Sequence, residues 1–148
     1  MAAGIASAIF MTLFVAHQVA DHWVQTEWQA NTKGLPGWVG RRACAGHVAT
    51  YTITALICVQ VAVSALDMHL SGWRIAIGLA VSAVTHYIAD RRTPLKVMAR
   101  WAGHREFHEL GVPRPDHDDN PSLGTGKYAL DQSYHVFWLF VAALVIAA

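Results

Sequence analysis

Four long apolar segments constrain the fold of this sequence more than any other feature. They cover about residues 2–23, 46–66, 73–90 and 128–148. Such segments approach or reach the roughly 20 mostly apolar residues that a helix needs to cross the hydrocarbon core of a bilayer. Charged residues make up only 14% of the 148 residues, well below the share in a soluble domain. The sequence therefore predicts an all-α integral membrane protein, one domain of residues 1–148 folded as a four-helix bundle.

The basic residues are distributed unevenly among the connections between these segments. Ten of the eleven Lys and Arg residues fall in the two longer connections, and only Arg74 adjoins the short one. Because Lys and Arg are enriched in cytoplasmic loops, both long connections are predicted to be cytoplasmic and both termini outside, in the inner (plasma) membrane. Within the last connection, residues 94–110 favour a short helix lying in the membrane interface, and residues 113–126 favour irregular structure.

Histidine and aspartate residues occur in pairs inside the apolar segments. In each pair the two residues are four positions apart, so both lie on one face of a helix. The pairs are His17 with Asp21, His86 with Asp90, and Asp131 with His135, and His47 stands alone near the start of the second segment. Since consecutive spans alternate in direction, all seven residues are expected at the same, cytoplasmic, face. Ionisable groups are costly within a membrane, so this gathering indicates a function.

Imidazole and carboxylate groups together are typical ligands of zinc, manganese and iron. We therefore predict a divalent transition metal as cofactor, as one or two ions, with the six paired residues as ligands or as groups that orient the ligands. His47 is predicted to be a further ligand or a catalytic general base. Arg91, Arg92, Lys96 and Lys127 flank the cluster in the sequence, and we predict that they bind an anionic lipid or phosphate headgroup.

Three functions are compatible with this pattern. The first is a membrane-embedded metalloprotein that hydrolyses a lipid-linked or phosphorylated ester. The second is a transporter or channel for protons or divalent metal ions, which the scarcity of polar residues in the outer halves of the spans disfavours. The third is a non-enzymatic, phage-type or scaffold membrane protein that uses His–Asp pairs for helix packing.

Membrane lipid is the expected partner. The net charge of +1 gives no reason to expect nucleic acid. A symmetric homodimer is a further expectation, from the general frequency of such dimers rather than from any residue.

The same residues resemble the motifs of a family of small bacterial and phage membrane proteins, catalogued as a domain of unknown function, number three-three-zero-seven. The matching parts are residues 16–21 with Gln25, His47, residues 85–90, and Asp131-Gln132 followed by His135. This resemblance implies a membrane bundle and supplies no activity. The family often has a lysine soon after its third motif, where this chain has Arg91 and Arg92, with Lys96 further on. A looser likeness exists to predicted membrane-bound metal-dependent hydrolases, which also place His and Asp at helix ends.

Overall fold

The protein consists of helices and the turns that join them in the part of the chain that its computed structural model describes, residues 2–111 and 125–148. The helices are α1 (Ala2–Val19), α2 (Glu27–Thr32), α3 (Gly37–Ala65), α4 (Gly72–Asp90), α5 (Thr93–Trp101), α6 (Arg105–Glu109) and α7 (Gly126–Ala147). A π-helical turn, Ala20–Val24, continues α1. No strand occurs in the two described ranges. The all-α prediction is confirmed.

Three of the helical segments are long and apolar enough to cross a membrane, as expected of a membrane protein. They are Gly4–Val24, Gly37–Ala65 and Gly126–Ala147. Helix α4 is not among them, since Arg74 near its beginning and His86 and Asp90 near its end lower its hydropathy. The four-span bundle, with α4 as the third span, therefore stays a prediction.

Helix α3 begins well before the apolar segment that the sequence indicates. That segment starts at residue 46, whereas the helix starts at Gly37, directly after Pro36. Arg41 and Arg42 lower the local hydropathy, but arginine is a good helix former, so the helix includes both. These two cations therefore lie on α3 and not in the connection before it.

Two short helices occupy the region where one interfacial helix was predicted. Helices α5 and α6 are separated at Gly103, whose φ of +76° is a left-handed conformation that glycine adopts without steric cost. The prediction of a single continuous helix over residues 94–110 was therefore wrong. Residues 112–124, which include Arg114 and most of the segment predicted to be irregular, lie outside the described residues.

The four longest helices pack in a ring, in which α1 and α4 each contact both α3 and α7. At one end of this bundle, the space between the four helices is filled by an apolar core of Ile9, Leu13, Ala16, Ala55, Val59, Ile75, Leu79, Leu139, Ala142, Ala143 and Ile146. Helices α4 and α7 approach closely at Gly78, where a Cβ atom would meet the carbonyl oxygen of Ala142 at 2.9 Å. The buried histidines lie between the same four helices, toward the other end of the bundle.

Candidate metal centre

The end of α1 presents Asp21 from a π-helical turn. The Gln25 backbone N–H donates to the Ala20 carbonyl oxygen at 2.9 Å, which is the i to i−5 bond of a π-helix. His17, one turn earlier, keeps its Nδ1 atom 3.6 Å from Asp21 Oδ2. Such π-turns are frequent at functional sites, because they turn a side chain away from its ordinary helical direction.

Two histidine nitrogens, from α3 and α4, lie near one carboxylate oxygen from the π-turn and one from the end of α4. His47 Nε2 lies 3.0 Å from His86 Nε2, and each histidine nitrogen lies near two carboxylate oxygens. The distances to Asp21 Oδ1 are 3.4 Å from His47 and 3.6 Å from His86. The distances to Asp90 Oδ2 are 3.4 Å from His47 and 3.2 Å from His86. We call these four residues the four-ligand group.

The spacing within the four-ligand group is that of metal ligands. Zinc bonds of about 2.0–2.1 Å in a tetrahedral site place neighbouring ligand atoms about 3.3–3.4 Å apart. The five distances given above range from 3.0 to 3.6 Å around this value. Within residues 2–111 and 125–148, the buried atoms Asp21 Oδ1 and Asp90 Oδ2 also have no hydrogen-bond partner. Buried carboxylate oxygens are normally satisfied, and a cation between the four atoms would satisfy both.

A second group of histidines adjoins the first and shares one residue with it. His17, His86 and His135 each bring one ring nitrogen within 4.8 Å of the others, and all three are buried. Their rings are close, with centroids 4.4 Å apart for His86 and His135 and 4.7 Å apart for His17 and His135. His135 Nε2 lies 3.8 Å from Asp131 Oδ2. All seven paired or clustered residues singled out in the sequence thus lie together, while their roles stay predictions.

Lys33 is a component of the site that the sequence patterns did not indicate. Its Nζ atom lies 2.7 Å from Asp90 Oδ1, the carboxylate oxygen that faces away from the four-ligand group. The hint in the sequence was a capping box at α2, where the Gln29 N–H donates to Thr26 Oγ1 and the Thr26 N–H donates to Gln29 Oε1. That motif predicts a helix start at Thr26, and α2 brings Lys33 to the site at its end.

Arg91, directly after Asp90, anchors the chain that follows α2. Its guanidinium donates to the carbonyl oxygens of Lys33 at 2.5 Å and Leu35 at 2.6 Å. Both of these guanidinium nitrogens therefore bind the backbone of the protein and not a substrate. Arg91 therefore lies where it can fix the connection between α2 and α3, and with it the position of Lys33.

A cavity of about 400 Å³ opens beside the four-ligand group. It is lined by Asp21, His22, Gln25, Lys33, Asp90, Arg92, Thr125, Lys127, Tyr128, Asp131 and Gln132. Two of the four basic residues predicted to bind substrate, Arg92 and Lys127, are thus in its wall, and Arg91 and Lys96 are not. Gln25 and Gln132 belong to the motif residues quoted above, and that resemblance was the available signal for them.

The edge of the cavity is electropositive. Burial, together with the positive charges of Lys127 and Lys96, lowers the pKa of His108 on α6 from its ordinary value. Arg92 has a φ of +59°, an uncommon conformation for a residue with a side chain. Its side chain passes over Gly34, where a Cβ atom would lie 2.6 Å from Arg92 Cδ. A residue held in strained geometry beside a cavity is a candidate for a functional role.

An apolar groove between α5 and α7 adjoins the cavity. Its volume is about 330 Å³, and it is lined by Leu95, Met98, Ala99, Ala102, His104, Leu130, Ser133, Tyr134 and Phe137. Leu95 is three residues after Arg92, and Leu130 is three residues after Lys127. Lys127 and Leu130 both lie on α7, where residues three apart are neighbours, so the groove begins about one turn from Lys127.

The fold and site define a helical membrane protein with buried histidine and aspartate groups placed to bind a metal ion. The chain belongs to the family described as Protein of unknown function (DUF3307), which matches residues 9–148. No curated protein and no solved structure matches it. The family description supplies no activity, and the looser likeness to hydrolases stays a prediction.

Proposed function

We propose that the protein is a membrane-embedded, metal-dependent hydrolase that acts on a lipid-linked phosphate ester at the cytoplasmic face of the inner membrane. The observation that carries this proposal is the four-ligand group, in which His47 Nε2 and His86 Nε2 lie at metal-ligand spacing from each other and from Asp21 Oδ1 and Asp90 Oδ2. The ligand chemistry suits zinc, manganese or iron. Of the two roles predicted for His47, that of ligand agrees best with this spacing.

The membrane arrangement follows from packing, aromatic residues and charge. Helix α4 packs in the same ring as the three apolar helices, so we take it as the fourth span. Trp23, Trp38 and Trp101 are highly exposed near the site, as in an aromatic belt at a membrane interface. Most Lys and Arg residues lie on the same side, which by the positive-inside rule is the cytoplasm.

The residues of the cavity suit a phosphate ester. Among the described residues, neither Arg92 nor Lys127 has an ion-pair partner within 4 Å, so both cations are available to an anionic group. An ion at the four-ligand group would lower the pKa of an adjacent water molecule and supply hydroxide near neutral pH. Asp131 lines the cavity with its carboxylate and is our candidate for the proton acceptor.

The proposed reaction is the hydrolysis of a phosphate monoester. The water oxygen forms a bond to phosphorus, and the bond between phosphorus and the alcohol oxygen breaks. Asp131 takes a proton from the water and returns it to the leaving alcohol oxygen. Arg92 and Lys127 hold the phosphoryl oxygens and stabilise their charge as the bond breaks. The products are the alcohol and inorganic phosphate.

The apolar groove favours a lipid over a soluble ester. A phosphate held by Lys127 would place the rest of the substrate about one helical turn from Leu130, where the groove begins. A hydrocarbon chain there contacts apolar side chains, whereas a sugar or nucleoside would find few polar partners. The groove thus supports the part of the proposal that names a lipid.

Two observations weigh against the alternatives. Among the described residues, the apolar core fills the end of the bundle beyond the histidines, so these residues offer no polar path to a transported ion. Unpartnered buried atoms also weigh against His–Asp pairs that serve only to join helices. In the described part of the chain, Asp21 Oδ1, Asp90 Oδ2 and both ring nitrogens of His17 make no hydrogen bond, whereas pairs that serve to join helices are expected to do so through hydrogen bonds.

The test is phosphate release by tag-free protein in detergent, loaded in turn with zinc, manganese or iron. Phosphatidic acid and a soluble aryl phosphate serve as substrates. We expect metal-dependent release, faster from the lipid, and its loss in His86→Ala but not in the control His69→Ala, which is remote from the site. Arg92→Gly tolerates the positive φ and is expected both to raise KM and to lower kcat, because Arg92 holds the phosphoryl oxygens and stabilises their charge as the bond breaks. Absence of phosphate release from both esters with all three metals would overturn the proposal.

A further inference from the structure

The four-ligand group leaves out two buried histidines of the cluster, His17 and His135. His17 is 1% exposed, and neither of its ring nitrogens has a hydrogen-bond partner among the residues that the structure describes. A buried polar group without partners is costly, and such groups are rare unless a water molecule or an ion satisfies them. His17 also faces His86 and His135, each with a nitrogen within 4.8 Å, which is a ligand arrangement in its own right.

We propose that a second divalent metal ion binds between His17 and His135, with Asp21 and Asp131 as its carboxylate ligands, so that the centre is dinuclear. This inference rests on the proposed function for its first ion and goes beyond it in assigning a second site to His17, His135 and Asp131, which lie outside the four-ligand group. The chemical class is the same as for the first ion, a divalent transition metal held by imidazole and carboxylate.

Asp21 is the residue that joins the two sites. Its Oδ1 atom belongs to the four-ligand group, at 3.4 Å from His47 Nε2. Its Oδ2 atom lies 3.6 Å from His17 Nδ1, a distance that two ligands of one ion also adopt. A carboxylate that gives one oxygen to each ion bridges them, and ions in two-metal sites lie about 3.5–4 Å apart. The π-turn at Ala20–Val24 puts this carboxylate between the two groups.

His135 and Asp131 complete the second site from α7. His135 Nε2 lies 3.8 Å from Asp131 Oδ2, and Asp131 reaches the wall of the cavity. His86 contributes to both groups of residues and stands between them. Dinuclear centres in helical bundles are built in this manner, from carboxylates and histidines on facing helices.

A second ion on this side would act directly on the proposed reaction. In two-metal hydrolysis the ions stabilise the attacking and the leaving oxygen of an in-line displacement. The second ion adjoins Asp131 in the cavity wall, so the phosphoryl group held by Arg92 and Lys127 would meet both ions. In this arrangement Asp131 is both a metal ligand and the proton acceptor. Its substitution should therefore lower both the metal content and the rate of hydrolysis.

The first experiment is elemental analysis of tag-free protein loaded with manganese and dialysed against metal-free buffer. We expect two ions per chain in the unaltered protein and in the control His69→Ala, and one ion in His17→Ala and in His135→Ala. One ion per chain in the unaltered protein overturns the second site and leaves the proposed function standing. No bound ion overturns both.

The main readout of the second experiment comes from the unaltered protein and so does not depend on whether the variants fold. Electron paramagnetic resonance of the manganese-loaded protein reports whether the ions are close enough to couple. Magnetic coupling through a bridging carboxylate replaces the hyperfine pattern of isolated manganese(II) with that of a coupled pair. We expect the coupled spectrum at full loading and the isolated pattern in His17→Ala. Two ions with only the isolated pattern would overturn the bridging role of Asp21.

Discussion

Lys33 and Asp90 form a buried ion pair beside the four-ligand group, and its disruption should depend on the metal. Their side chains are 12% and 5% exposed, and Lys33 Nζ lies 2.7 Å from Asp90 Oδ1. Removing one partner of a buried pair leaves an uncompensated charge and typically costs about 3–5 kcal/mol. We therefore expect Lys33→Met to lower the free energy of unfolding of the metal-free protein by about that amount.

A bound metal should offset most of this loss. The ion faces Asp90 Oδ2 and supplies positive charge to the same carboxylate that Lys33 neutralises. If the substitution destabilises the metal-free folded protein but not the metal-bound one, thermodynamic linkage requires that the free energy of metal binding become more favourable by the same amount. With about 1.4 kcal/mol per factor of ten, 3 kcal/mol corresponds to roughly a hundredfold tighter binding by Lys33→Met.

The assay is denaturant unfolding in detergent with and without metal, joined with a metal titration. The double variant Lys33→Met/Asp90→Asn is the matched control, because it removes both charges and should recover stability without metal while losing metal affinity. Two results would refute the reasoning. Either Lys33→Met is as stable as the unaltered protein without metal, or metal leaves its relative instability unchanged.

Three further substitutions test the packing around the site. Tyr51→Phe removes the 2.6 Å hydrogen bond to Ser82 Oγ and should lower the free energy of unfolding by about 1–3 kcal/mol without changing the metal content, as unfolding and elemental analysis would show. Gly78→Ala brings a Cβ atom against the carbonyl oxygen of Ala142 and should cost about 1–3 kcal/mol in the same unfolding assay, with no such loss at the open position Gly72. Arg91→Ala removes two bonds to backbone carbonyls and should increase protease cleavage between α2 and α3, whereas unchanged cleavage would contradict its anchoring role.

The helices and the gathering of polar residues were accessible from the sequence because both rest on local periodicity. Apolar segments of sufficient length indicate helices, and a spacing of four residues places His86 and Asp90 on one face of α4. Alternation of helix direction then brings such pairs to one layer. None of these steps needs knowledge of how side chains meet.

The parts that escaped prediction depend on tertiary contacts or on short elements without a hydropathy signal. Helix α2 has six residues, so only its capping box marks it, and the position of Lys33 follows from it. Arg91 and Arg92 have the same chemistry and are adjacent, yet only Arg92 lines the cavity. The chain turns at Arg92 with φ +59°, and only the Arg91 guanidinium donates to the carbonyl oxygens of Lys33 and Leu35. The π-turn at Asp21 likewise leaves no pattern in the sequence.

The central claim is that the four-ligand group binds a metal ion, and equilibrium metal binding to tag-free protein tests it most directly. The protein is stripped with a chelator, loaded with zinc, manganese or iron, and dialysed, and the bound metal is measured by elemental analysis. The structure predicts at least one ion per chain, lost in His86→Ala and retained in His69→Ala. Stripped protein that takes up none of the three metals, while its helical content is unchanged, would contradict the claim.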